Sequence, residues 1–127
     1  MKWPEFFPDS CPPQDSSSAT GIVYRLINGQ VPKEYDFKPY RQLYPDRVFD
    51  IPECQACSLS VYTDKADVVR LKKRIPATRN KKVACGSLNS SCGKLKPTPS
   101  KENSHHSWWV PTDLQPWLTF ETVTVES

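Results

Sequence analysis

Thirteen prolines against four glycines, in 127 residues, set the terms on which this chain folds. Proline fixes φ and lacks a backbone N–H, so it interrupts helices and central strands and favours short elements joined by stiff connections. A long-helix protein is excluded on that ground. Pro32, Pro39, Pro45 and Pro52 fence residues 30–56, with Tyr35, Phe37, Tyr40, Tyr44 and Phe49 interleaved among them. That spacing leaves room for a short helical turn near Tyr40–Leu43 and otherwise predicts a long, ordered, aromatic-anchored loop. Residues 1–20, punctuated by Pro4, Pro8, Pro12 and Pro13, read as an extended Pro/Ser-rich arm pinned to the rest by Trp3, Phe6 and Phe7.

Between the prolines the periodic segments are short. Gly21 opens the β-branched run Ile22-Val23-Tyr24-Arg25-Leu26-Ile27, which ends at an Asn28-Gly29 turn. Ser58-Leu59-Ser60-Val61-Tyr62 alternates as a half-buried strand does. Thr63 or Asp64 then caps a helix over about 64–75, whose apolar stripe is Val68, Leu71 and Ile75 and whose stop is Pro76. Lys82–Cys85 reads as a strand, with Lys94–Lys96 as its return partner across a turn-rich link. His105–Val110 and Trp117–Val125 are the last strand candidates. The expected fold is α+β: an arm over 1–20 and a single compact domain over 21–127. That domain has about five short, mostly antiparallel strands, one helix and long Pro-rich ordered loops. At 14.5 kDa the chain supports one core and not two.

The net charge of +3 hides a strong asymmetry. Residues 1–67 sum to −3, residues 68–101 carry ten bases and no acid, and residues 102–127 carry four acids and no base. A basic middle between acidic flanks either folds back on them or presents a cationic face to a partner. Arg70, Lys72, Lys73, Arg74, Arg79, Lys81 and Lys82 form its dense part, a patch suited to phosphate contact, and Trp108 is a candidate stacking surface beside it. No apolar run approaches the about 20 residues of a membrane span, so no membrane partner is expected.

The N-terminus lacks the apolar core of a signal peptide, and five cysteines is an odd number. Both point to a reducing, cytoplasmic setting in which the thiols are buried hydrophobes, metal ligands or reactive groups. No cofactor is expected, with zinc as the alternative. Cys54-x2-Cys57 has a metal-ligand spacing, and Cys85 and Cys92, or a histidine, are the candidates to complete a tetrahedral set. Against zinc, Cys85 and Cys92 stand six residues apart and the Cys54–Cys57 pair lacks a knuckle glycine.

Ser104-His105-His106-Ser107-Trp108-Trp109 is the densest run of chemically useful side chains. On a strand His105 shares a face with Ser107 and Trp109, and His106 shares the other with Trp108. One face then sets an imidazole beside an indole, either as a general base beside a stacking platform or as core aromatics with satisfied histidines.

Two resemblances follow from particular residues. Tyr24-Arg25 on the first long strand and Ser58-Leu59-Ser60 on the second resemble the first two motifs of the arginine-serine-glutamate class of ADP-ribosyltransferases. The resemblance implies that Arg25 holds a dinucleotide and that Ser58 or Ser60 supports a nicotinamide pocket. The third motif, a glutamate pair flanking one residue, is missing, since Glu121-Thr122-Val123 supplies only its first member. Cys11-Pro12-Pro13, Val23–Leu26, Cys54–Tyr62 and Ser104–Trp109, in this order, resemble a group of small uncharacterised bacterial proteins. That resemblance implies a bacterial cytosol and an accessory role in a defence or mobile-element locus.

The leading expectation is therefore a small non-catalytic interaction module that binds a protein or nucleic-acid partner through its basic face. The first alternative is a nucleotide-handling, ADP-ribosyltransferase-like enzyme or toxin-like domain, with Arg25, Ser60, His105 and His106 as its site. The second is a zinc-stabilised structural domain.

Overall fold

The β-branched run after Gly21 forms the centre of the molecule. The structure, a computed structural model, describes residues 1–125. Its strands are β1 (Ser17–Ser18), β2 (Gly21–Ile27), β3 (Leu59–Tyr62), β4 (Lys82–Leu88), β5 (Lys94–Pro97), β6 (His105–Trp109) and β7 (Glu121–Val123). They make one antiparallel sheet in the order β1-β5-β6-β3-β2-β4-β7. Three α-helices accompany it: α1 (Tyr40–Leu43), α2 (Glu53–Ala56) and α3 (Lys65–Arg74). The fold is α+β as expected, with more strands than the sequence suggested.

Three corrections have local causes. Ser17-Ser18 belongs to the arm yet pairs with Leu95 and Lys94 as an edge strand. Lys94–Pro97 is not the partner of β4. It pairs with β6, while β4 runs alongside β2 over seven register pairs, from Gly21↔Leu88 to Ile27↔Lys82. β4 continues through Gly86-Ser87-Leu88, which read as a turn, because the ring of Phe120 occupies the space a side chain at Gly86 would fill. The third correction concerns helices: besides α3 and the turn expected near Tyr40–Leu43, which is α1, the Pro-fenced stretch contains α2.

The sheet is packed on both faces. Val23, Ile27, Leu59, Val61, Ala84, Leu88, Leu95 and Trp108 meet Phe37 and Phe120 in the larger cluster. Phe120 stacks on Trp108 with centroids 5.7 Å apart and meets Phe37 edge-on at 5.1 Å. On the opposite face α3 lays Val68 and Leu71 over Tyr24, Leu26, Tyr62 and Val83. Asp64 caps that helix by accepting from the Ala66 N–H at 2.9 Å, and its last turn carries Lys72, Lys73 and Arg74 at the negative end of the dipole.

The arm is fastened at several points. The Phe6 carbonyl lies 3.7 Å from Cys57 Sγ, the Thr112 N–H donates to the Lys2 carbonyl at 3.0 Å, and Cys11 is disulfide-bonded to Cys54 across 43 residues, while Trp3 stacks on Phe7 within the arm. Within 30–56 the anchors are an aromatic, Phe37, and a cation, Arg41. Arg41 pairs with Glu53 in a bidentate contact at 2.6 and 2.8 Å, donates to the Pro45 carbonyl and covers the Phe49 ring. Tyr35, Tyr40 and Tyr44 stay exposed, while Phe37 enters the core. No helix of the described residues is long and apolar enough to cross a membrane.

Candidate functional site

β2 and β3 touch as a ladder at one register pair, Tyr24↔Tyr62. Beyond it Arg25 replaces the missing strand contacts. Its Nη1 donates to the Ser60 carbonyl at 2.6 Å and its Nε to the Asp36 carbonyl at 2.9 Å. Burial pulls this guanidinium down to about 10, against the nearby charges of Tyr40, Asp36 and Tyr62. Asp36 is itself buried and accepts from the N–H groups of Asn28 and Lys33, which closes the turn after β2. Arg25 is thus a strut between a strand and a loop.

Ser60 carries the network onward. Its register partner on β6 is Ser107, and Tyr62 is paired with His105, the two rings meeting edge-on at 5.3 Å. His105 Nε2 lies 2.9 Å from Ser60 Oγ, and Nδ1 lies 2.8 Å from the Thr98 carbonyl oxygen and 2.9 Å from Thr98 Oγ1. A carbonyl only accepts, so Nδ1 carries the proton and the lone pair of neutral Nε2 accepts from the Ser60 hydroxyl. Ser107 Oγ completes the cluster 2.9 Å from Thr98 Oγ1. Burial holds the His105 pKa below its ordinary value.

Of the four residues expected at a nucleotide site, Arg25, Ser60 and His105 are thus linked through Ser60. His106 is not: it sits on the other side of β6 and bonds the Ser104 carbonyl beside it. Thr98, which holds the imidazole, gave no signal in the Pro97-Thr98-Pro99 loop. The two indoles are core. Trp108 is fully buried with Nε1 donating to the Cys92 carbonyl, and Trp109 donates to the Cys54 carbonyl. Trp108 therefore offers no face to a partner, which corrects its place among the partner-binding candidates.

The cysteines do not assemble. Cys54 is bonded to Cys11, so two of the five are not thiols. Cys57 is buried beside the arm, where desolvation and Glu53 push its thiol up to about 11. Cys85 lies opposite Tyr24 on β4, its thiol also raised by burial, and Cys92 packs in the larger core cluster. Among the described residues no group of three or more His, Cys, Asp or Glu side chains is placed to hold a metal ion.

The basic stretch divides in two. Arg70 pairs with the buried Asp67, whose carboxyl is held below its usual range by hydrogen bonds from Ser104 and by that arginine. Arg74 forks onto Glu102, which is 3% exposed, with Nη2 reaching both carboxylate oxygens at 2.7 and 2.9 Å. Glu102 is the first acid after the acid-free window, a position that could have flagged it. Lys72, Lys73, Arg79, Lys81 and Lys82 have no ion-pair partner among the described residues. A cavity of about 380 Å³ opens among Arg70, Lys73, Arg74, Lys101 and Glu102. A second, of about 240 Å³, lies under the arm and has a mixed wall, with Phe6, Phe7 and Trp117 beside Glu34, Lys38 and Gln42. No protein-family model, no curated protein and no solved structure matches this chain.

Proposed function

We propose that this chain is a small interaction module that binds a protein or nucleic-acid partner through its basic face. The observation that carries the reading is the division of the cations: the fold uses Arg70 and Arg74 internally and leaves Lys72, Lys73, Arg79, Lys81 and Lys82 without counter-charges among the described residues. These five run from the last turn of α3 through a short 3₁₀ turn, Pro76–Thr78, into β4. The cavity among Arg70, Lys73, Arg74, Lys101 and Glu102 gives an anionic group a recess in that face, with Lys73 and Lys101 as its cations without a counter-charge among the described residues. The setting in this reading is a bacterial cytoplasm, as an accessory component of a defence or mobile-element system. The Cys11–Cys54 bridge pulls the other way on the compartment, because disulfides persist where the surroundings are oxidising.

Titrating a labelled oligonucleotide by fluorescence anisotropy across a salt series tests the reading. Binding at low salt weakens linearly in log–log form, by about 0.9 per phosphate neutralised. Reversing Lys72, Lys73, Lys81 and Lys82 to Glu lowers the affinity about tenfold or more and flattens the slope. With a protein partner, the same variant loses capture of that partner while nucleic acid is ignored. If wild type and variant behave alike in both assays, the basic face is merely solvated and the proposal fails.

A further inference from the structure

The basic face leaves the Ser60–His105 pair unexplained, and that pair has the geometry of an activated nucleophile. A serine hydroxyl is a weak nucleophile until a base within hydrogen-bond reach takes its proton, and the base must be held in the right tautomer by a third group. All three requirements are met by residues from three separate segments. Ser60 comes from β3, His105 from β6, and the Thr98 carbonyl from the loop between β5 and β6. The carbonyl accepts the Nδ1 proton at 2.8 Å and so turns the Nε2 lone pair toward Ser60 Oγ at 2.9 Å. Tyr62 packs edge-on against the ring and limits its rotation. Ser60 and His105 are half-buried rather than sealed in the core, in contrast to Ser107, which is 1% exposed and bonds Thr98. Arg25 holds the Ser60 carbonyl at 2.6 Å and so fixes the backbone from which the hydroxyl projects.

We propose that Ser60 is a nucleophilic serine, activated by His105 as general base and positioned by Thr98, that accepts short acyl groups from activated carboxylic esters. Ser60 Oγ attacks the ester carbonyl carbon as its proton passes to His105 Nε2. The tetrahedral adduct collapses by breaking the bond to the alcohol oxygen, and His105 returns the proton to the departing alkoxide. Water, deprotonated by the same nitrogen, then attacks the acyl-serine and releases the carboxylic acid, which restores the Ser60 hydroxyl. Neither of the two cavities described above is lined by Ser60 or His105, so an ester meets them at the half-buried surface, where a short acyl group suffices for the attack. This assignment differs from the dinucleotide roles that the transferase resemblance gives Arg25 and Ser60, and it is independent of the basic face.

The groups facing His105 are Ser60 and Tyr62 from β3, Thr98 and Ser107, with His106 and Glu102 near enough to act by charge. Desolvation keeps the ring neutral at pH 7, the state in which Nε2 can take a proton. The test is adduct formation on the full chain with a fluorophosphonate, which bonds to serine oxygen through phosphorus and releases fluoride. Adducts are located by peptide mass spectrometry, and p-nitrophenyl acetate turnover is followed in parallel. The adduct is expected on Ser60, absent in Ser60→Ala, and slowed about 100-fold in His105→Gln, the size of a general-base contribution. Its rate in wild type rises as pH climbs through the His105 pKa, below about 6.5, and is flat above. Denatured wild type is the reference: there Ser60 reacts no faster than the exposed Ser87. A hydrogen bond with a purely structural role moves the thermal midpoint of these variants and leaves reactivity untouched. No Ser60 adduct in the folded chain, or one as fast as Ser87, overturns the proposal even if His105→Gln does not fold.

Discussion

Arg25 shows how one side chain can be legible in kind and misread in role. A lone cation in the middle of an apolar strand stands out in sequence and invites a ligand. In the fold its donors go to two carbonyls: that of Ser60, left without a β2 partner where β2 and β3 diverge after Tyr24, and that of Asp36 in the 3₁₀ turn Glu34–Phe37. An unpaired buried acceptor costs about 1–3 kcal/mol. Arg25→Met keeps an apolar stem but removes the guanidinium from over Phe37 and strands both oxygens, so it is expected to destabilise by about 3 kcal/mol. Arg25→Lys recovers little, because an ammonium lacks the planar fork that reaches two acceptors at once. Urea unfolding followed by tryptophan fluorescence checks this: the midpoint falls while the slope stays constant. An unchanged midpoint would mean the strut is dispensable. Of the site, Ser60 and His105 could be picked out by residue type. Thr98 could not, because its contribution includes a backbone carbonyl, and no side-chain pattern encodes where a loop carbonyl points.

Among the elements, α3 was the most legible, because capping by Asp64 and the stripe of Val68 and Leu71 are local in sequence. Strand pairing was not. Lys94–Pro97 follows β4 directly along the chain, yet the sheet places three strands between them. Hairpin adjacency is only a tendency, and here burial of Leu95 beside Trp108 decides the register. β4 runs on past Cys85 into what the sequence presents as a turn-rich link beginning at Gly86. Its absent side chain is what admits the Phe120 ring that stacks on Trp108. Gly86→Ala is therefore expected to cost about 1–3 kcal/mol by displacing that ring. Thermal unfolding with near-ultraviolet circular dichroism reads both the loss and the disturbed tryptophan packing. An equally stable Gly86→Ala variant with an unchanged spectrum would remove Phe120 as the reason for this glycine.

At the scale of the whole molecule, proline count and cysteine count proved unequal guides. The prolines correctly implied short elements and long ordered connections. The odd number of cysteines says nothing about whether two of them meet, and Cys11 and Cys54 do, with Cα atoms 5.6 Å apart. Titrating thiols in denaturant before and after reduction is expected to give three and then five, since Cys57, Cys85 and Cys92 are free. Five before reduction would mean that the arm is held by packing alone. The order β1-β5-β6-β3-β2-β4-β7 has a further consequence, for the time at which this protein becomes a protein. Its interior strand β2 is made early, but β2's long partner is β4, β1 waits for β5, and the ring that seals Gly86 and Trp108 is at position 120. Non-local pairings of this kind close slowly, because loop entropy is lost before contacts return it. A nascent chain that has not yet delivered Phe120 therefore has an open larger core, which closes only when that ring arrives.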